Sequence, residues 1–216
     1  MPEELFFIIP DSSFFVILHN LNNPGQMNLK DLVAKTRTYR RFDESKKIDY
    51  NVLEQLVDLA RLSPSGGNRQ PLRFLLYNKP EDCEKIFPKL AWAAYLTDWA
   101  GPAKGERPSG YIIILGDKSI AEVFGVDHGI AAQSIMLGAT EAGLGGCIIA
   151  SLKREAVASD LNIPDNFEIL LVLALGQPAE TVIIDEIKDN NIKYWRDKEN
   201  NHHVPKRNLD DLILKI

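Results

Sequence analysis

The sequence predicts a single domain of mixed helices and strands, and three observations carry that reading. Segments with apolar residues at i, i+3, i+4 and i+7 alternate with short continuous apolar runs, the first period belonging to helices and the second to buried strands. The 216 residues are enough for one sizeable core. Their 45% hydrophobic and 25% charged content is that of an ordinary soluble globular chain.

Taken in order, residues 1–26 stand apart. Two apolar runs, 5–9 and 14–18, are divided by Pro10-Asp11-Ser12-Ser13, and no basic residue precedes Lys30, which excludes the pattern of a secretory signal or a membrane span. They read as an N-terminal extension, with the domain covering 27–216. Asn28 to Asp31 resembles a capping box that opens a short helix. This helix ends in Thr36-Arg37-Thr38-Tyr39-Arg40-Arg41-Phe42, the densest basic run of a chain whose net charge is -5. Two readings fit that run: a helix end favoured by the dipole, or an anion site built from Arg forks and a Thr hydroxyl.

A helix over 50–62 follows, with Asp49 at its N-cap and Leu53, Leu56, Val57 and Ala60 on one face. Residues 63–71, Ser-Pro-Ser-Gly-Gly-Asn-Arg-Gln-Pro, lead into a strand over 72–78. Two prolines and two glycines make an ordinary helix stop, but Asn68 and Gln70 also give the loop the donors and acceptors to grip a flat, heteroatom-edged ring. A short helix over 80–87 precedes the aromatic, Gly/Pro-rich stretch 89–109, which reads equally as a wall over a pocket or as core packing. Strands over 111–115, 145–150 and 169–175 flank a small-residue helix over 127–142, capped by Gly143, and a helix over 152–161 for which Ser151 is the expected cap. Near the end, Asp197 to Asn201 turns a hairpin, and Asn208 opens a last short helix.

The acidic balance argues against a nucleic-acid surface. Cys83 and Cys147 form neither a disulfide framework nor a zinc pattern, and a reducing cytoplasm suits them. His202 and His203 point to opposite faces of a strand, so they do not make a metal site. His128 and Cys147 read as core. No P-loop, nucleophile elbow or complete G-x-G-x-x-G is present, which leaves ligand-holding features without an acid, base or nucleophile. A cofactor would then carry the chemistry.

Four segments resemble, in order, the nitroreductase family of FMN-dependent oxidoreductases. Arg37 to Phe42 is similar to its Arg-Ser-x-Arg-x-Phe opening, and Ser63 to Pro71 to its Pro-Ser-x-x-Asn-x-Gln-Pro loop. Gly143 to Ser151 is similar to its Gly-Leu-Gly segment and following strand, and Lys206-Arg207 falls where the family keeps terminal basic residues. The resemblance implies an α+β fold with a central mixed β-sheet flanked by helices, in an intertwined homodimer with FMN at the interface. It places Arg37, Thr38 and Arg40 on the phosphate, ribityl chain and pyrimidine edge, with Arg40 at that edge. Pro64, Ser65, Gly66, Asn68 and Gln70 would come from the other subunit, backbone at Ile149, Ala150 and Ser151 would face the flavin N5, and Lys206 and Arg207 would complete the phosphate site. No catalytic side chain and no metal are implied. The reductant would be NADH or NADPH and the acceptor a nitroaromatic, quinone or similar small molecule. A flavin-fragmenting or dehalogenating member and a non-catalytic FMN sensor or storage protein are the alternatives. Thr36 departs from the pattern, standing where many members have another Arg, and 89–109 matches no part of it.

Overall fold

A computed structural model describes residues 27–215. Its elements are α1 (Leu29–Lys35), α2 (Tyr50–Arg61), β1 (Leu72–Tyr77), α3 (Pro80–Ile86), β2 (Gly110–Asp117), α4 (Asp127–Glu141), β3 (Gly145–Ile149), α5 (Arg154–Asp160), β4 (Phe167–Gly176), β5 (Val182–Glu186), β6 (Trp195–Arg196), β7 (His202–Lys206) and α6 (Leu209–Leu212). The expected extension, 1–26, lies outside the described residues.

Strands β1-β2-β4-β3 form a four-stranded sheet in that order, every pair antiparallel. Its mixed character enters at the β3 edge, where Thr38 bridges Gly146 in parallel and Tyr39 N–H donates to Gly146 O at 2.9 Å. Strand alternation sends Ile112, Ile114, Leu171, Leu173 and Leu175 to the face covered by α2 and α4. Tyr111, Ile113, Leu115, Val172 and Ala174 go to the opposite face, in one cluster with residues of α3 and α5. Because both faces are covered, β2 is buried throughout, and this is why its sequence shows an apolar run rather than alternation. The Ile114–Leu171 pair is followed by Leu115–Ile169, so Leu170 is an extra residue that bulges β4.

α4 packs tightly because Gly138 leaves room for Leu59: a Cβ there would lie 2.2 Å from Leu59 Cδ1. Its end closes as expected, with Gly143 at φ 77° and Leu144 N–H donating to Ala139 O. Ser151 is not the cap of α5. Ser151 O accepts from Ala91 N–H and Leu152 bridges Leu90, so the chain stays extended two residues longer and α5 opens only after Lys153. Both thiols are buried, and burial raises Cys83 and Cys147 to about 11.

A second sheet, β5-β7-β6, combines the expected hairpin with a parallel β5–β7 pair that joins segments twenty residues apart in register, Val182 with His202. Gly145 and Gly176 face each other across β3 and β4, and the basic segment lies over both. A Cβ on Gly145 would lie 2.5 Å from the Tyr39 ring, and one on Gly176 2.8 Å from the ring of fully buried Phe42. Gly176→Ala is therefore expected to destabilise by about 1–3 kcal/mol through overpacking. Thermal melts check it: adding Phe42→Leu should recover part of the loss, and a neutral single variant would contradict the packing argument.

Candidate functional site

The basic segment is held by the sheet rather than by solvent. Arg37 donates from Nε to Thr36 O at 2.7 Å and from Nη2 to Val33 O at 2.9 Å, so it ties off the C-terminal end of α1. Arg41 is paired with Glu106, and the pair holds the Arg41 guanidinium above and the Glu106 carboxyl below their usual ranges. Thr38 sits on the β3 edge at Gly146. Thr36, in the place of the family's further Arg, is buried with Oγ1 at 2.9 Å from Thr140 Oγ1 near the end of α4.

Arg40 departs from the expectation of a guanidinium offered to an open ring edge. It is buried, with Nη1 2.9 Å from His202 Nε2 and the guanidinium 4.6 Å from the Tyr194 ring centroid. Tyr194 packs in turn against Tyr95, at 4.9 Å, and His202, at 5.2 Å. Glu180 anchors this cluster. Its Oε1 accepts Arg40 N–H at 2.5 Å and Arg41 N–H at 3.1 Å, and its Oε2 pairs with Arg196 Nη2 at 2.9 Å, the carboxylate side chain being wholly inaccessible.

The loop at 63–71 is also built by hydrogen bonds. Ser65 Oγ donates to Asp127 Oδ2 at 2.6 Å and accepts Gln70 N–H at 3.0 Å, while Gly66 N–H donates to Asp127 Oδ1 at 3.0 Å. Asn68 and Gln70 lie in the left-handed region, at φ 53° and 50°, which is uncommon for residues with a side chain and clusters where ligands are held. Both are exposed, as is Pro64. Their amides thus stand on a strained backbone fastened to a buried carboxylate.

Ile149 is buried at the end of β3, and Ala150 and Ser151 continue it as exposed extended chain. Arg154 fixes this segment, donating from Nη2 to Ala150 O at 2.9 Å and from Nε to Ile169 O, beside the bulge, at 3.0 Å. Ala91 N–H on Ser151 O brings the aromatic stretch alongside. In that stretch Trp92 covers Gly101 and Trp99 lies under Arg196, so both serve packing, whereas Tyr95 is exposed.

Within one chain these residues form two groups. Arg37, Thr38 and Arg40 lie where β3 begins, Thr38 bridging Gly146, and residues 149–151 leave the other end of the same edge strand. The loop at 63–71 is pinned to Asp127, at the first residue of α4, and Thr36 meets Thr140 near its last. At a rise of about 1.5 Å per residue, the two anchors are about 20 Å apart along the helix. Lys206 and Arg207 are exposed at the far end of β7, four and five residues beyond His202, and no described contact joins them to Arg37. Glu180, Asp127 and Arg154 are the site-building residues that sequence reasoning missed: Glu180 and Asp127 have partners distant in sequence, and Arg154 stands in a charged run, Lys153 to Glu155, that reads as helix surface. Among the described residues no group of His, Cys, Asp and Glu is arranged to hold a metal ion, and no helix is long and apolar enough to cross a membrane.

The Nitroreductase family matches residues 33–177, from the end of α1 to the end of β4. The chain belongs to the nitroreductase family. It is 25% identical over 172 residues to a Methanothermobacter thermautotrophicus protein provisionally named NADH dehydrogenase/NAD(P)H nitroreductase, a match covering 76% of this chain and 85% of the relative. A nitroreductase family protein of Clostridium difficile 630 superposes with a TM-score of 0.58 at 25% identity, covering 71% of this chain and 86% of the other. A provisionally named nitroreductase of Exiguobacterium sibiricum, solved in complex with FMN, has the same fold, with a TM-score of 0.60 at 18% identity and coverage of 72% and 90%. The α+β class of this chain is thus shared with solved members of the family.

Proposed function

We propose that this member of the nitroreductase family is an FMN-dependent oxidoreductase that works as a homodimer, taking hydride from NADH or NADPH and passing electrons to a nitroaromatic, quinone or similar small acceptor. The observation that carries the reading is the pair of residue groups fixed at opposite ends of α4. Each suits one side of a flavin, and about 20 Å of helix separates them within one chain. A second copy supplies the missing half of each site, as two-fold pairing of one surface allows.

The donor set fits the group. Asn68 and Gln70 offer exposed amides on a backbone already in place, so little conformational freedom is lost when they meet a ring edge. Thr38 and Arg37 lie at the β3 edge for the ribityl phosphate, with Lys206 and Arg207 as further cations. Ala150 and Ser151 present backbone beside the ring, held by Arg154. Arg40 need not touch the flavin to favour its electron-rich state, since a buried cation acts over several ångströms where the dielectric is low. When bound, FMN supplies the hydride and electron chemistry at N5. The chain's part is to bind, orient and exclude water, which is why it offers no acid, base or nucleophile. The relatives' names and the FMN held by a protein of the same fold support this reading, and a cytoplasmic setting agrees with two reduced, buried thiols.

A mixing experiment tests dimer and site together. Arg37→Ala and an Asn68→Ala/Gln70→Ala chain should each bind FMN weakly and oxidise NAD(P)H slowly. Random re-pairing of the two should restore about a quarter of wild-type sites, because half the dimers are mixed and each carries one intact site. No recovery on mixing, or a colourless wild-type protein that takes up no FMN, would sink the proposal.

A further inference from the structure

Beyond the stretch that the family matches, the small sheet carries a cavity of about 480 Å³, within the range of small-molecule sites, about 300–1,000 Å³. None of its lining residues, which run from Asp185 to Pro205, is among those assigned to FMN. Trp195 provides its aromatic wall. One indole face is stacked on His203, with centroids 4.1 Å apart and planes 12° from parallel, and the residue is still 47% exposed. The stack cannot slide away, because His203 Nδ1 and Nε2 are held by Asp185 at 2.8 Å and Asp197 at 3.2 Å. Lys188 and Lys193 line the same cavity from a loop folded back by two consecutive left-handed residues, Asp189 and Asn190. Asp185 is committed to His203, whereas Glu186 brings a further acceptor.

We propose that this cavity binds a small aromatic ring carrying a phosphate, a nucleoside monophosphate with an exocyclic amine being the simplest example, at a place distinct from the FMN residues. The ring stacks on Trp195, the phosphate meets Lys188 and Lys193, and Glu186 accepts from the amine. An aromatic platform with adjacent cations is how bases are gripped without a dedicated motif. The idea does not depend on the flavin assignment, since none of the residues it uses is assigned to FMN, although Lys206 of that set follows directly on Pro205.

The test is calorimetric titration of FMN-saturated protein with AMP, adenosine and inorganic phosphate, with tryptophan fluorescence read in parallel. AMP should bind and quench; phosphate should bind at least about tenfold more weakly because it has lost the stack, and adenosine at least about tenfold more weakly because it lacks the charge that meets Lys188 and Lys193. Trp195→Leu should abolish AMP binding and Trp195→Phe should retain most of it, while Lys193→Ala should weaken AMP but leave adenosine unchanged. NAD(P)H oxidation should be unaffected in all three variants. AMP binding that survives Trp195→Leu, phosphate binding as tight as AMP, or no heat and no quench at millimolar AMP would each overturn the assignment.

Discussion

Glu180→Ala should be the most damaging single substitution in the described chain outside the hydrophobic clusters. The inaccessible carboxylate accepts two backbone N–H groups of the basic segment and pairs with Arg196. Removing it orphans two part-buried backbone donors and leaves Arg196 without its ion-pair partner. Breaking a buried pair from one side costs about 3–5 kcal/mol. For a domain of this size that lowers the melting temperature by about 10 °C or more. Glu180→Gln, which keeps an accepting oxygen, should lose less. Denaturant titrations of the three proteins decide the matter, and an alanine variant within about 1 kcal/mol of wild type would show that solvent reaches the cluster.

Acidification should unfasten the same cluster through His202. A guanidinium only donates, so His202 Nε2 accepts from Arg40 and the ring is neutral with its proton on Nδ1. Burial, then the neighbouring Arg40, Arg196 and His203 charges, lower its pKa to about 4. A depressed folded pKa means that stability is full above the unfolded value of about 6.5 and is lost as pH falls toward about 4, on the order of 3 kcal/mol in all. His203 has the opposite sign. Burial lowers its pKa, but the Asp197 and Asp185 hydrogen bonds outweigh that and leave it raised. Its contribution is complete below about pH 6.5 and fades as pH rises through the folded value. The lowered carboxyls, such as Asp197 and Glu106, add their own loss only from about pH 5 downward, so comparison with the His202 variant isolates the imidazole's share. Chemical denaturation at pH 7 and pH 4.5 should show a loss in wild type that His202→Gln largely removes. His203→Gln should flatten the alkaline side instead. Equal acid losses in wild type and His202→Gln would refute the assignment.

Much of this was legible in the sequence because it is local. The Asn28 cap, the face of α2, the β2 and β4 runs and the Gly143 stop depend on residues within a turn or two of one another. The Asp197–Asn201 hairpin is equally local, and the expected strands agree with β1 to β4 to within two residues at each end. β5 was not foreseen, since Val182-Ile183-Ile184 is too short to announce itself and its partner follows only after the intervening hairpin strand. Ser151 has the right residue type for a cap, but the bridge to Leu90 outcompetes local capping chemistry. The glycines at 145 and 146 were read through the motif. Their physical reason is the Tyr39 ring above one, and the Leu175 side chain and Ala174 carbonyl against the other. Arg40 shows the limit most clearly. Its place in the motif suggested a ligand contact, but only the fold reveals that His202, 162 residues away in sequence, takes one edge of it.

The placement of the two cysteines bears on the proposal that quinones are among the acceptors. Quinones are electrophiles that arylate thiolates, and an oxidoreductase that turns them over meets them at high local concentration. At neutral pH a thiol raised to about 11 is almost wholly protonated, and Cys83 and Cys147 are also shut inside the sheet and its helices. Cys147 lies only two residues from Ile149, at the edge where the acceptor would arrive, yet it faces the core. Under that proposal the packing of α3 and β3 would keep both thiols from being arylated by the acceptor.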